Sequence, residues 1–312
     1  MLNVDWLAEQ TKNKNVLLGV SGGADSMALL HMIALDRDKF TCNFKVLHVN
    51  HQINPESATW AKLVSNYCVD INMHCEIVNV DVGTRGNQEQ AARRARYAAF
   101  ADQKCDIIVL AHHADDQVET FFLKAFRGSG PKGLRCMVPV SKCWFDENKM
   151  VIRPLLSFTK SQLESYVSDH NVPFVTDPSN NNTTFDRNWI RHELMPFLKA
   201  RNEIVDINIR TVAAIQNETH ELLNDLAKID FQNAYISDTE LDWKKVKDLG
   251  TRRIKNLIMF ICSEHNVVDL SIGHIEQFAA GLVDSTSDSR NELRLKMFKI
   301  NKVGSRIMYQ PV

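Results

Sequence analysis

VLLGVSGGADSMALLHMIALD, residues 16–36, runs from an apolar pentapeptide through a glycine pair into an amphipathic stretch. Val16–Val20 is short, apolar and β-branched, as a strand buried on both faces should be, and Ser26–Asp36 reads as a helix. Between them lies Ser21-Gly22-Gly23-Ala24-Asp25-Ser26. Two glycines let the backbone approach phosphate oxygens with no Cβ in the way. The helix behind them offers free N–H groups and a positive dipole end to an anion. Ser21 and Ser26 can donate hydroxyl hydrogen bonds. Asp25 cannot ligate phosphate directly, because two anions repel, but it suits a Mg²⁺ ion that neutralises the phosphates. The loop is not a Walker A motif, since the lysine of G-x-x-x-x-G-K-S/T is missing. The bland alternative is a strand–turn–helix connection with incidental glycines.

Working outward, short apolar runs keep alternating with helical stretches. VLHVNH (46–51), EIVNVD (76–81) and DIIVLAHH (106–113) read as strands. Residues 56–72, 88–103 and 114–126 read as helices. Such alternation implies βαβ units, hence an α/β fold with a doubly wound parallel sheet covered on both faces. Sites in these sheets lie outside the carboxyl ends of the strands. From about residue 204 the pattern changes to successive helices, with a strand-like tail in ELRLKMFKI and SRIMYQPV. We therefore expect an α/β domain over 1–203 and a second, mainly helical domain over 204–312 with short C-terminal strands.

The length of 312 residues suits two domains, since single cores stop growing at roughly 250–300 residues. No apolar run approaches the ~18–20 residues of a membrane span, and the N-terminus lacks the pattern of a secretory signal. The seven cysteines are odd in number and contain no C-x-x-C pair. That argues against a disulfide scaffold or a four-cysteine zinc site and fits a reducing cytoplasm. A net charge of −1 means that any polyanion must be met by local patches. One such patch is the tail, where Arg290, Arg294, Lys296, Lys299, Lys302 and Arg306 face a single acid, Glu292, over residues 289–312.

Four further stretches carry chemistry. In Ala111-His112-His113-Ala114-Asp115-Asp116-Gln117-Val118-Glu119-Thr120, Asp116 and Glu119 share a helix face near its N-terminus. They can ligate Mg²⁺ or bind a cationic amine. Capping by Asp115 or Asp116 is the plainer reading. In Gln90-Ala91-Ala92-Arg93-Arg94-Ala95-Arg96-Tyr97, Arg93 and Arg96 share one face. A guanidinium aimed at a nucleotide cleft would suit pyrophosphate, although a solvated face is the usual case. Arg127-Gly128-Ser129-Gly130-Pro131-Lys132-Gly133-Leu134 is a basic, glycine-rich loop, either a lid or a cluster of turns. Thr176-Asp177-Pro178-Ser179-Asn180 leads to Asp186-Arg187-Asn188-Trp189-Ile190-Arg191. There Arg187 and Arg191 lie four apart and can bind phosphate or carboxylate.

The loop at 21–26 resembles that of the N-type ATP pyrophosphatases, the PP-loop family, with its adenine nucleotide alpha hydrolase-like fold. The wider set resembles the tRNA(Ile)-lysidine synthetase family: S-G-G-x-D-S, H-V-N-H then E-S, A-R-x-x-R-Y, A-H-H-x-D-D-Q-x-E-T, R-G-S-G-x-x-G-L, R-P-L, and D-P-S-N followed by R-N-x-I-R, all in order over residues 16 to about 197. Departures are Gln52-Ile53-Asn54-Pro55, where the family usually has a basic residue, and Cys136, where it often has glycine. Longer members carry a third domain, which this chain is expected to lack.

The resemblance implies an ATP-dependent ligase that adenylylates the wobble cytidine of a tRNA(Ile) with a CAU anticodon and joins free L-lysine to it, changing the codon read from AUG to AUA. Its implied cofactors are ATP and Mg²⁺. It places Asp25, Asp116, Glu119 and Arg96 in catalysis, Ser21 to Ser26 with His48 and His112 at the nucleotide, and Asp25 and Asp116 on the metal. Arg187, Arg191, Arg127 and Lys132 then meet substrate. The second domain would bind tRNA, the enzyme would be cytoplasmic and off the membrane, and a homodimer is left open. The runner-up is another PP-loop tRNA modifier, a thiolase, which would want sulfur-carrying cysteine pairs. A nucleotide-binding RNA module without catalysis is the non-enzymatic alternative.

Overall fold

The computed structural model describes residues 2–83, 88–267, 272–286, 289–296 and 298–311. The chain divides into two compact units, Met1–Ala214 and Ile215–Val312. The division falls inside one long helix, eleven residues beyond the change of pattern at 203/204.

The first unit opens with helix α1 (Val4–Thr11), strand β1 (Asn15–Gly19), α2 (Ala24–Leu35), β2 (Asn43–Asn50), α3 (Ser57–Asp70) and β3 (Cys75–Asn79). It continues with α4 (Gln88–Ala101), β4 (Ile107–Leu110), α5 (Ala114–Phe126), α6 (Pro131–Leu134), β5 (Val140–Lys142), β6 (Met150–Ile152) and α7 (Lys160–Asp169). Short helices α8 (Asp186–Trp189) and α9 (Met195–Arg201) flank a π-helical turn at Ile190–Leu194. Among the described residues the sheet order is β3-β2-β1-β4-β6-β5, parallel except where β5 folds back on β6. The strand sequence alternates between two cores, because successive side chains leave a strand on opposite faces. Val16, Leu18, Val46 and Val109 pack with α2 and α7 on one face. Leu17, Leu47, Ile108 and Val151 pack with Tyr97 and Phe100 of α4 on the other. The chain winds outward in both directions from β1 and β4, so a crevice opens at their carboxyl ends.

The second unit holds most of α10 (Val205–Ala234), then β7 (Tyr235–Ser237), β8 (Glu240–Asp242), α11 (Trp243–Lys247), α12 (Gly250–Glu264), α13 (Ile272–Asp284), β9 (Asn291–Arg294), β10 (Phe298–Val303) and β11 (Arg306–Pro311). The expectation of helices followed only by tail strands is corrected here. An antiparallel sheet of order β7-β8-β11-β10-β9 joins the tail to residues 235–242. β7 and β8 have three residues each, too few for a periodic signal; β7 pairs with β8, and the other partner of β8, strand β11, comes more than sixty residues later. Reading ELRLKMFKI as one strand is corrected as well. It is a hairpin in which Arg294 pairs with Lys299 and Leu293 with Ile300. Leu293, Leu295, Phe298 and Ile300 consequently all face the core.

The basic tail changes with it. Lys302 is buried, donates to the carbonyls of Thr286 and Ser289, and sits 4.4 Å from the Trp243 ring centroid. Lys299 pairs with Glu292 at 2.9 Å and Arg306 with Glu240 at 2.6 Å. Arg290, Arg294 and Lys296 remain as exposed cations.

Candidate active site

The Ser21–Ser26 loop is tied together by its own second serine. Ser26 Oγ accepts the N–H groups of Ser21 at 3.1 Å and Gly22 at 3.2 Å, and donates to the Gly23 carbonyl at 3.0 Å. Ser21 Oγ accepts from Gly23 N–H at 3.3 Å. Ser26 is thus buried inside the loop it shapes. Gly22 has φ +91°, and a Cβ there would meet Val175 and Val64 at 3.2 and 3.3 Å. Its carbonyl accepts from Val175 N–H at 2.9 Å, so the loop is held from beneath by the segment leading to Asp177. Gly23 caps α2 with no side chain over the helix end, which leaves the first-turn N–H groups open to an anion.

A cleft of about 500 Å³ lies over the carboxyl ends of β1, β2 and β4. That volume is in the range of small-molecule sites. Ser21, Asp25, Ser26, His48, Arg96 and His112 all line it, so the structure brings these six together. Arg96 therefore faces the cleft, and its guanidinium carbon stands 5.5 Å from the Tyr97 ring centroid. Asp177 and Ser179 also reach the cleft. Arg127 and Lys132 are exposed and lie outside its lining.

The histidines here are distinguished by their partners. His48 is buried with Nδ1 2.9 Å from the Val20 carbonyl, so Nδ1 carries the proton and Nε2 is left as an acceptor. Burial holds its pKa below the usual value. His51 is lowered to about 4 by burial, then by Arg96 and His48. His112 is lowered to about 3 by burial, against the pull of Asp116, and its Nδ1 is buried with no partner. Neutral imidazoles thus line the cleft.

His113 goes the other way. Burial lowers its pKa, but Asp115 and Asp25, with Asp116, outweigh burial and raise it to about 10. Its Nε2 lies 3.5 Å from both Asp25 Oδ2 and Asp116 Oδ2, and Nδ1 lies 3.4 Å from Asp115 Oδ2. As the α5 cap it also stands 3.3 Å from Asp115 N–H, which only a neutral ring can accept. Three carboxylates at this range favour the imidazolium, with both ring N–H groups donated to acids. The paired histidines signalled this residue in the sequence, but only the fold shows that the second of the two sits among the carboxylates. His113 bridges the two residues expected on a metal. Asp116 also accepts the His113 N–H at 3.0 Å, the capping role weighed against function. Asp25 Oδ1 is buried without a partner. Such a lone hard oxygen fits Mg²⁺, which takes one or two carboxylates and completes its shell with water and phosphate oxygens.

Glu119 is buried on the same helix. Burial raises its pKa while Arg191 and Arg187 oppose the rise. Arg191 donates Nε and Nη2 to Glu119 Oε1 at 2.7 Å each, and Arg187 donates to Thr120 Oγ1 at 3.2 Å. Both arginines project from the α8 and π-turn region, and π-turns recur at functional sites.

A PP-loop domain matches residues 2–198. The tRNA(Ile)-lysidine synthase of Vibrio cholerae is 30% identical over 293 residues, covering 93% of this chain and 66% of that one. That of Wigglesworthia glossinidia brevipalpis is 30% identical over 320 residues, covering 98% and 79%. That of Neisseria meningitidis is 37% identical over 198 residues, covering 63% and 46%. The chain belongs to the tRNA(Ile)-lysidine synthase family of PP-loop proteins. It spans 66% of the length of the Vibrio relative. A U34-tRNA thiolase from Methanococcus maripaludis superposes with a TM-score of 0.54 at 16% identity, covering 67% of this chain and 77% of that one, a likeness of fold alone. Among the described residues no helix is long and apolar enough to cross a membrane.

Proposed function

We propose that the chain is an ATP-dependent ligase that adenylylates the wobble cytidine of a tRNA(Ile) with a CAU anticodon and then joins L-lysine to it. The observation that carries this reading is a phosphate-fitted loop, Ser21–Ser26, opening on the cleft that Asp25 lines, together with two carboxylate oxygens, Asp25 Oδ1 and Glu119 Oε2, the latter on α5 outside the cleft lining. These two carboxylate oxygens are buried without partners. A buried acceptor costs about 1–3 kcal/mol when unpaired, so both fit sites completed by ligands.

The open N–H groups at the start of α2 hold the triphosphate. Mg²⁺ on Asp25 Oδ1 would neutralise charge as pyrophosphate leaves. The base's carbonyl oxygen attacks the α-phosphorus, and the bond to pyrophosphate breaks. Neutral His48 and His112 line the cleft without adding charge, while Arg96 offers a fixed cation to the departing phosphates. The side-chain amine of lysine then attacks the activated ring carbon, and AMP leaves with the former carbonyl oxygen. Glu119, kept as a carboxylate by Arg191 and made more basic by burial, is suited to attract the ammonium and take its proton. Arg191 steadies that carboxyl and Arg187 lies alongside. Arg127, Lys132 and the second unit supply tRNA contact in this reading, and soluble cytoplasmic enzyme is its setting.

A pyrophosphate-release assay with ATP, L-lysine and the tRNA transcript tests it. Sustained release that requires both lysine and tRNA, with one lysine joined per tRNA and at most one pyrophosphate per enzyme-bound tRNA when lysine is left out, is expected. Release without tRNA, sustained release without lysine, or sulfur transfer in place of lysine transfer would sink the reading.

A further inference from the structure

Trp144 lies in the loop between β5 and β6, in SKCWFDENK, away from the lining of the nucleotide cleft. It is 68% exposed. Its ring stands edge-on to Tyr97 at 5.0 Å and to Phe145 at 5.4 Å, so the side chain is braced on one side and open on the other. Tyr97, on α4, is buried, and the guanidinium carbons of Arg93 and Arg96 stand 5.1 and 5.5 Å from its ring centroid. Arg96 in turn lines the nucleotide cleft. A continuous row of contacts therefore runs from the cleft through Arg96 and Tyr97 to Trp144.

A single exposed tryptophan needs no explanation by itself. Its setting does. Residues 90–101 of α4 carry three arginines and no acid, in a chain whose net charge is −1. In the Trp144 loop Asp146 is paired with Lys149 at 2.7 Å. An exposed indole, one ring removed from two guanidinium groups, is an arrangement that binds single-stranded nucleic acid. Aromatic faces stack unpaired bases and arginines meet the backbone. A duplex would hide its bases from such a face, so the ligand is an unpaired nucleotide.

We propose that Trp144 is a stacking platform for an unpaired base next to the nucleotide that enters the cleft, with Arg93 close to the adjoining phosphate. This rests on the reading of the substrate as an RNA loop. Trp144 is a positioning residue: it fixes where the loop lies and has no part in the chemistry at the reacting atoms.

The test uses the full chain and a stem-loop RNA with the CAU loop, beside a fully paired duplex of equal length. Wild type is expected to bind the stem-loop with quenching of tryptophan fluorescence and to bind the duplex less well. Trp144→Phe keeps a stacking ring. It should bind the stem-loop nearly as tightly while losing the Trp144 share of the quench. Trp144→Ala should lose about 5- to 150-fold in affinity, the factor matching base–aromatic stacking of ~1–3 kcal/mol. Its ATP affinity and thermal midpoint should not move. Equal stem-loop binding by wild type and Trp144→Ala, with lysine transfer intact, overturns the platform alone. Absence of stem-loop binding by wild type overturns both the platform and the substrate reading. If Trp144→Ala instead abolishes self-association and leaves RNA affinity unchanged, the residue serves a protein interface and the proposal fails.

Discussion

Arg191 spends two donors on one oxygen of Glu119, Nε and Nη2 each 2.7 Å from Oε1, and leaves Oε2 buried without a partner. The pair is neutral as a unit yet retains an acceptor for a further cation. Glu119→Gln should therefore keep the fold and ATP affinity while raising the KM for lysine. Arg191→Ala strands a buried carboxyl. It should cost less than the ~3–5 kcal/mol of breaking a fully buried pair, because the arginine side chain is 25% exposed. Lysine kinetics and urea unfolding read the two effects separately. An unchanged lysine KM in Glu119→Gln would remove Glu119 from amine binding.

Asp25 lines the cleft and offers its lone Oδ1 there. Asp25→Ala is expected to slow pyrophosphate release by at least ~10²–10³, the scale on which fixed electrostatic stabilisers act. The fold should persist, because the residue belongs to neither hydrophobic core. Near-normal turnover by a well-folded variant would show that another group handles the charge on pyrophosphate.

Gly22 combines φ +91° with two valine methyls at the position a Cβ would take. Gly22→Ala should destabilise by ~1–2 kcal/mol from the left-handed backbone alone. Displacement of the loop from Val175 should also raise the KM for ATP. Thermal melts and ATP titration check this, and a variant with wild-type ATP affinity would contradict the idea that the loop needs this backbone shape.

His51 is held at about 4, against an ordinary 6.5, by burial first and then by Arg96 and His48. The folded state thus favours the neutral ring, and the unfolded chain binds more protons between these two values. This contribution to stability is complete above pH 6.5 and is lost as pH falls towards 4. His51→Gln should flatten the acid side of the stability profile, leaving the share owed to His48 and His112. Urea midpoints from pH 4 to 7 measure it, and parallel profiles for the two proteins would refute the assignment.

The tail offers a contrast between neighbouring cations. Reversing Arg294 and Lys296, both exposed, should weaken tRNA binding and lower its salt slope by ~0.7–0.9 for each phosphate no longer neutralised. Lys302→Gln should instead lower the melting temperature, since Lys302 is buried against two carbonyls and Trp243. Titrations of tRNA at several salt concentrations, together with melting curves, separate the two. An unchanged slope for the first variant places the RNA elsewhere.

The sequence by itself determined the α/β sheet, the loop at 21–26 and the residues that could carry chemistry. Each rests on a pattern short enough to read along the chain: apolar runs of strand length, glycines between strand and helix, acids three apart. Tertiary structure decided what those residues face. Whether Arg96 meets solvent or the cleft depends on which face of α4 packs on the sheet. Whether Ser26 offers its hydroxyl outward depends on how tightly the loop closes on itself. His113 is pushed towards its charged form because three carboxylates, one of them 88 positions away in the chain, converge on one ring. The hairpin at 291–303 and the burial of Lys302 are illegible along the chain for the same reason. Strands of three to six residues are specified by partners brought from afar, and a lysine's charge does not reveal whether carbonyls and an indole wait to receive it.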